Sequence, residues 1–219
     1  MKRAVPPILF WGGLWGLAEA VLGHGLHLLR FPGLAGWVMF PVGFWMMSRA
    51  LRRSGRTVVL AGVPAVAATV KLADFLLPIP DPFLVLNPAA AILIEGAAIA
   101  LLLSRAGESK PSFASLAAVS TAWRAVYYGW GTAAASLAGA SNLFAPERFA
   151  AWRFFALDPL VAALLIDAAY RAARTCAAKV PRTRCSGPAL RLDRLAARPA
   201  WAAASVVLAA AVGILLRRG

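Results

Sequence analysis

The sequence predicts an all-α protein: a polytopic transmembrane bundle of six core helices with a seventh helix at the C-terminus. Three observations carry this reading. Sixty-one per cent of the 219 residues are hydrophobic, and the mean hydropathy is +0.71, outside the usual composition of soluble domains. The apolar residues are gathered into runs near the roughly 20-residue length that crosses a bilayer as a helix. The basic residues cluster at alternate ends of those runs, as they do in membrane proteins whose cytoplasmic loops are positive.

Six runs fit the length requirement, at 5–28, 32–50, 57–78, 84–104, 113–138 and 150–170, and a shorter Ala- and Val-rich run follows at 200–216. The organisation expected is a six-helix membrane domain over 1–175, a basic cytoplasmic linker over 176–199, and an extra transmembrane helix over 200–219. The last looks like an added anchor, since it carries no buried charge. The first run begins after Lys2 and Arg3 and contains Ala18-Glu19-Ala20, which imitates a signal peptide and its cleavage site. Apolar character continues to Leu29, so the segment reads as a full span that is retained. The link Pro78-Ile79-Pro80-Asp81-Pro82 is dense in proline and should be a stiff turn.

A formal net charge of +14 invites a nucleic-acid reading, but the distribution of charge argues against it. Lys2, Arg3, Arg49, Arg52, Arg53, Arg56, Arg105, Lys110 and the eight cations from Arg171 to Arg198 all fall on one side if the helices alternate. The opposite loops hold little more than Arg30 and Arg148. The surplus is therefore a topology signal. It places the N-terminus in the cytoplasm of a cell-membrane protein, with anionic lipid heads as its partners. Cys176 and Cys185 lie in the basic segment, where a reducing compartment disfavours a disulfide. Neither has histidines at zinc spacing, and His24 and His27 lack a third ligand nearby, so no metal site and no cofactor is expected.

The chemistry-bearing residues are the ionisable ones inside the apolar runs. Such a group is costly at bilayer depth unless it faces the protein interior and finds a partner. In the first run Gly12, Gly16, Glu19 and Gly23 recur every three or four residues and so share one helical face. The glycines suit close helix packing, with Gly12-x-x-x-Gly16 at the familiar spacing, whereas packing has no need of a carboxylate at 19. Lys71 and Asp74 are neighbours three apart, and read either as a self-neutralising pair or as ligand-binding groups. Asn87 and Glu95 lie on a stripe of the fourth run among small residues. Arg124 keeps its proton and needs an anion nearby, and Tyr128 offers an aromatic wall. Asp158 precedes Pro159, which removes a backbone donor and frees local polar groups. Together Glu19, Lys71, Asp74, Asn87, Glu95, Arg124, Tyr128 and Asp158 are the candidate substrate-binding set, in a pocket opening outward.

Six short-looped helices, a cytoplasmic N-terminus, the Gly12-x-x-x-Gly16 face and an outward polar centre resemble the substrate-binding S components of energy-coupling factor transporters. The resemblance covers residues 1–175 and rests on architecture. It implies a solute-capture subunit partnered by a membrane scaffold protein and cytoplasmic ATPases. The seventh helix departs from that pattern. The function expected is import of a small polar solute, without catalysis. A structural or assembly subunit, with buried charges that only specify helix pairing, is the alternative. An intramembrane enzyme using Glu19, Asp158 and His24 is disfavoured, since Gly-x-Ser-x-Gly, His-Glu-x-x-His and paired-aspartate motifs are absent from the sequence.

Overall fold

The computed structural model describes residues 4–23, 34–106, 109–138, 150–179 and 188–218, and these are helical with short turns between. The helices are α1 (Val5–Ala18), α2 (Leu34–Ser54), α3 (Val58–Leu72), α4 (Phe83–Ala106), α5 (Phe113–Ala138), α6 (Asp158–Lys179), α7 (Pro188–Ala196) and α8 (Pro199–Arg218). Three of them are extended by tighter or wider turns. A π-helical segment, Glu19–Gly23, continues α1; a 3-10 turn, Ala73–Leu76, ends α3; and a second π-helical segment, Arg153–Leu157, leads into α6.

Among the described residues four helices are long and apolar enough to cross a membrane: Val5–Leu22, Val58–Leu76, Phe83–Ala106 and Pro199–Leu216. The other long helices, α2, α5 and α6, contain 21, 26 and 22 residues. Their length suffices, but they are more polar, carrying Arg49, Arg52 and Arg53 on α2, Arg124 on α5, and Asp158, Asp167 and Arg171 on α6. Large apolar side chains such as Leu76, Val126, Leu137, Leu164 and Val207 stay exposed around the bundle. A lipid-facing surface accounts for that better than water does.

The packing order follows from small residues set against larger ones. α1 lies between α3 and α8. A methyl group on Gly12 would sit 2.6 Å from Val66 Cβ, and one on Gly16 would sit 2.8 Å from Val70 Cβ, so α3 seats its valines in the glycine face. On the other flank, a methyl on Gly13 would meet Ser205 Oγ at 2.6 Å. Ser205 donates to Ala202 O at 2.8 Å and approaches the Leu9 and Phe10 carbonyls at 3.3 and 3.4 Å. The expected added anchor, α8, therefore lies along α1, and that pair shares the most extensive contact between two helices. Small residues on both helices let the backbones approach. From α3 the bundle continues through α4 and α5 to α6, and α2 closes it by touching α1, α3, α4 and α6.

Within the segment read as a linker, α6 runs on to Lys179 and α7 forms over Pro188–Ala196. Asp193 on α7 receives Arg49 Nε at 3.2 Å and pairs with its Nη2, which ties α7 to the end of α2. At the neighbouring end Asp167 accepts from Arg171 Nε at 2.6 Å and pairs with Lys110. Cys185, His24 and His27 lie outside the described residues.

Candidate functional site: a buried ionic core

Proline shapes one wall of the site. Pro159 has no N–H to offer the Phe155 carbonyl, its i−4 partner in an α-helix. The preceding turn widens into the π form, and the Asp158 N–H bonds to Arg153 O instead. Thr121 of α5 then donates its hydroxyl to the freed Phe155 carbonyl at 3.3 Å. Because a π turn closes i to i+5, it brings the Arg153 and Asp158 side chains together: Arg153 Nε lies 3.6 Å from Asp158 Oδ1. The same oxygen accepts a 2.6 Å hydrogen bond from Trp37 Nε1 of α2, and the Arg153 guanidinium stands 5.4 Å from the Trp37 ring. Asp158 is 3 % exposed.

Arg124 fills the space between α5, α2 and the π segment and is 1 % exposed. Its Nη1 donates to Ser120 O at 2.8 Å and to Ser120 Oγ at 2.5 Å, one turn back on its own helix. The guanidinium carbon lies 4.7 Å from the Trp123 ring and 5.9 Å from the Phe154 ring. On α2, a methyl at Gly36 would come within 3.2 Å of Arg124 Nη2, so the absence of a side chain there makes room for the guanidinium.

Glu95 projects from α4 toward the same helix, two turns further along it. A methyl on Gly43 would lie 2.6 Å from Trp15 Cζ2 and 3.0 Å from Glu95 Oε1. The carboxylate and the indole edge therefore meet over a bare stretch of α2 backbone. Glu95 is 5 % exposed, and its Oε1 is buried without a hydrogen-bond partner, as is Trp15 Nε1. Arg124 acts on Glu95 electrostatically, and so does Glu19. Seven residues separate Gly36 from Gly43, about 10 Å of helix rise, so the guanidinium and the carboxylate interact at range.

The remaining predicted residues attach to this chain of charge. Glu19 opens the π segment after α1 and is within electrostatic reach of Lys71 and of Tyr127. Lys71 Nζ lies 3.0 Å from Asp74 Oδ2. Asp74 sits in the 3-10 turn beneath α8, where a methyl on Gly213 would be 3.3 Å from its Oδ1. Asn87 Oδ1 accepts from Trp130 Nε1 at 3.0 Å, nearer the end of the bundle where α4 begins. Tyr128 turns its ring onto Phe155, with centroids 5.7 Å apart. Gly12 and Gly16 pack on α3, and Gly23 closes the π segment.

Of the predicted residues, Lys71 and Asp74 are in contact, Glu19 is within electrostatic reach of Lys71 and Glu95, and Arg124 of Glu95 and Asp158, while Asn87 and Tyr128 bond to Trp130 and pack on Phe155. Five residues were not legible as site residues: Trp15, Trp37, Arg153, Gly36 and Gly43. The signal for Arg153 was its place five residues before an Asp-Pro pair, the spacing that a π turn closes. Among the described residues no three or more His, Cys, Asp or Glu side chains gather to hold a metal ion. Comparison of the chain with protein-family models, curated proteins and solved structures yields no match.

Proposed function

We propose that the chain is a multi-pass protein of the cell membrane that binds a small polar solute within its ionic core and helps import it. In this reading all six core helices and α8 span the bilayer, with the N-terminus in the cytoplasm. The cations of the Arg49–Arg56, Arg105–Lys110 and Arg171–Arg198 segments then lie on the cytoplasmic side. Glu19, Lys71, Asp74 and Asn87 fall in the outer half, which gives the solute an outward approach.

The observation that carries the proposal is Glu95. A carboxylate withdrawn from solvent, with one oxygen left without a hydrogen bond, is costly in a helix bundle. Elsewhere in the bundle Asp158 and Asp74 are paired, with Arg153 and Lys71. Both π segments adjoin core acids, and such bulges are common at functional sites. Transport needs an energy source. Following the resemblance noted above, a membrane scaffold subunit and cytoplasmic ATPases are the proposed partners.

Native mass spectrometry of the protein released gently from its own membranes tests the reading. A small-molecule adduct on wild-type protein, absent from folded Glu19→Gln and Arg124→Gln variants, is the expected result. A bare chain that stays bare in a metabolite mixture overturns it. That outcome favours the second reading, a structural subunit whose charges specify helix pairing. Its own signature would be mutual rescue by Glu19→Arg and Arg124→Glu.

A further inference from the structure

α4 and α5 enclose a groove that lies apart from the ionic core. α4 is one of the helices long and apolar enough to cross a membrane, and it ends at Ala106, so the turn after it lies at the level of the lipid headgroups. At that turn a depression of about 450 Å³ is lined by Arg105, Ser109, Lys110, Ser112 and Ser115, with Leu101 among the apolar residues beneath them. Further along the same two helices a second depression, of about 440 Å³, is walled by Leu93, Ala97, Leu101, Ala122 and Val126. Leu101 lines both, so they adjoin as one groove, polar at the turn and apolar toward the middle of the bundle. The sequence explains the shape. Leu93, Ala97 and Leu101 recur every four residues on α4, as do Ala118, Ala122 and Val126 on α5, and all six are exposed. Alanine at 97 and 122 is too short to close the seam between the helices.

Length and charge select the occupant. From Arg105 to Leu93 is about 18 Å of helix rise, and half of the hydrocarbon core is about 15 Å. The groove is therefore one leaflet deep. Its apolar walls stop at Leu93 and Val126, although α4 begins at Phe83 and α5 runs on to Ala138. A partner helix would use the whole span, whereas a single lipid ends near the midplane. At the polar end Arg105 offers a planar fork of donors that matches phosphate oxygens. Lys110 gives one donor to Asp167, which Arg171 also holds, and its Nζ stands 5.9 Å from the Tyr170 ring. An ammonium has two donors more. Ser112 Oγ accepts the Ser115 N–H at 3.1 Å and lies 2.7 Å from Ser115 Oγ, which sets both hydroxyls where α5 begins. Glu108 lies outside the described residues.

We infer that this groove holds one anionic phospholipid, with its phosphate on Arg105 and Lys110 at the turn and an acyl chain along Ala97 and Ala122. The inference is independent of the solute reading, because the groove opens on the outer surface of the bundle. In the orientation proposed above it faces the cytoplasmic leaflet, whose surface is negative.

The test titrates the full chain, delipidated in detergent, with phosphatidylglycerol and with phosphatidylcholine of the same acyl chains. Glycerol 3-phosphate serves as a headgroup without chains, and native mass spectrometry counts the bound species. Wild type is compared with Arg105→Gln, with Ala97→Phe, and with Arg56→Gln, which removes an equal charge from the turn between α2 and α3. The expected result is one phosphatidylglycerol, held more tightly than phosphatidylcholine. Arg105→Gln should weaken it about tenfold, the loss of one charge-assisted hydrogen bond, while Arg56→Gln leaves it nearly unchanged. Ala97→Phe fills the apolar wall and should weaken both lipids. Equal losses in Arg105→Gln and Arg56→Gln overturn the inference, because any surface cation then serves. So does equal affinity for the two lipids, or undiminished lipid binding in Ala97→Phe. Glycerol 3-phosphate bound as tightly as the lipid overturns it in favour of a soluble phosphate. A second copy or another protein that Ala97→Phe displaces overturns it in favour of a protein interface. If Ala97→Phe fails to fold, the comparison of Arg105→Gln with Arg56→Gln decides.

Discussion

Asp158 and Glu95 are both carboxylates in the middle of the bundle, both almost fully withdrawn from solvent, and they are accommodated in opposite ways. Asp158 is surrounded by donors brought from two directions, Trp37 of α2 and Arg153 of its own π segment. Glu95 meets an indole edge and a glycine, and its Oε1 is left without a hydrogen bond. The same bundle, in the same low-dielectric surroundings, therefore closes one acid and leaves the other open. A fully paired buried charge needs only structure to explain it, whereas an open one calls for a visitor. If that distinction is right, the two acids should respond differently to the same kind of substitution.

The largest effect is expected at the closed acid. Asp158→Ala removes the anion between Trp37 and Arg153 and strands a cation in the bundle. Breaking a buried pair from one side costs about 3–5 kcal/mol, and thermal unfolding in detergent should show a loss of that order. Asp158→Asn keeps an acceptor for Trp37 and should lose clearly less. A wild-type melting temperature for Asp158→Ala would mean that Asp158 is as open as Glu95.

Next in size is Gly43→Ala. The new methyl would press on the Trp15 ring at 2.6 Å and on Glu95 at 3.0 Å, an overpacking worth about 1–3 kcal/mol. It should also abolish any solute adduct. Gly36→Ala is the control on the same helix face. Its methyl meets the tip of the Arg124 side chain, at 3.2 Å, so it should cost less stability than Gly43→Ala. Equal losses at the two glycines would show that α2 simply needs thinness along its whole face.

Much of the scaffold was readable from apolar run lengths. The run expected at 113–138 is the helix Phe113–Ala138, and that expected at 84–104 is Phe83–Ala106. Charge inside the apolar runs likewise singled out most of the ionic core. Two parts were not readable. Arg153 stands at i−5 from Asp158, where an α-helix would turn the two apart and only a π turn closes them. Gly36 and Gly43 were hidden because a glycine says nothing of what it faces, and here they face a guanidinium and a carboxylate contributed by other helices. The intimacy of α8 with α1 was obscured for a related reason. A uniformly apolar helix shows no face, and only Ser205 and Gly213 mark the sides that pack.

A smaller effect is expected where the closed side is held by backbone. Thr121→Val deletes the hydroxyl that caps the Phe155 carbonyl freed by Pro159. Single hydrogen bonds between membrane helices average about 0.6 kcal/mol, so the melting temperature should fall slightly. The Arg153–Asp158 contact should survive, because Pro159 still forbids the α-helical bond. A loss as large as that of Asp158→Ala would mean that the threonine, rather than the proline, keeps the turn in its π form.

The smallest change in stability is expected at the open acid, and for that reason it discriminates most. Glu95→Gln preserves shape and removes an acid that forms no ion pair among the described residues. The carboxamide keeps an oxygen acceptor, adds an NH2 group and carries no charge, so solute-free protein should unfold no earlier than the wild type. Charged groups without partners are the ones whose neutralisation is favourable. The same substitution should remove the stabilisation that solute confers, since binding to the folded state alone raises stability by mass action. A neutral outcome without solute, joined to a lost response with it, separates a site from a strut. A substantial destabilisation without solute would instead place Glu95 with Asp158, as an acid whose partners hold the bundle together.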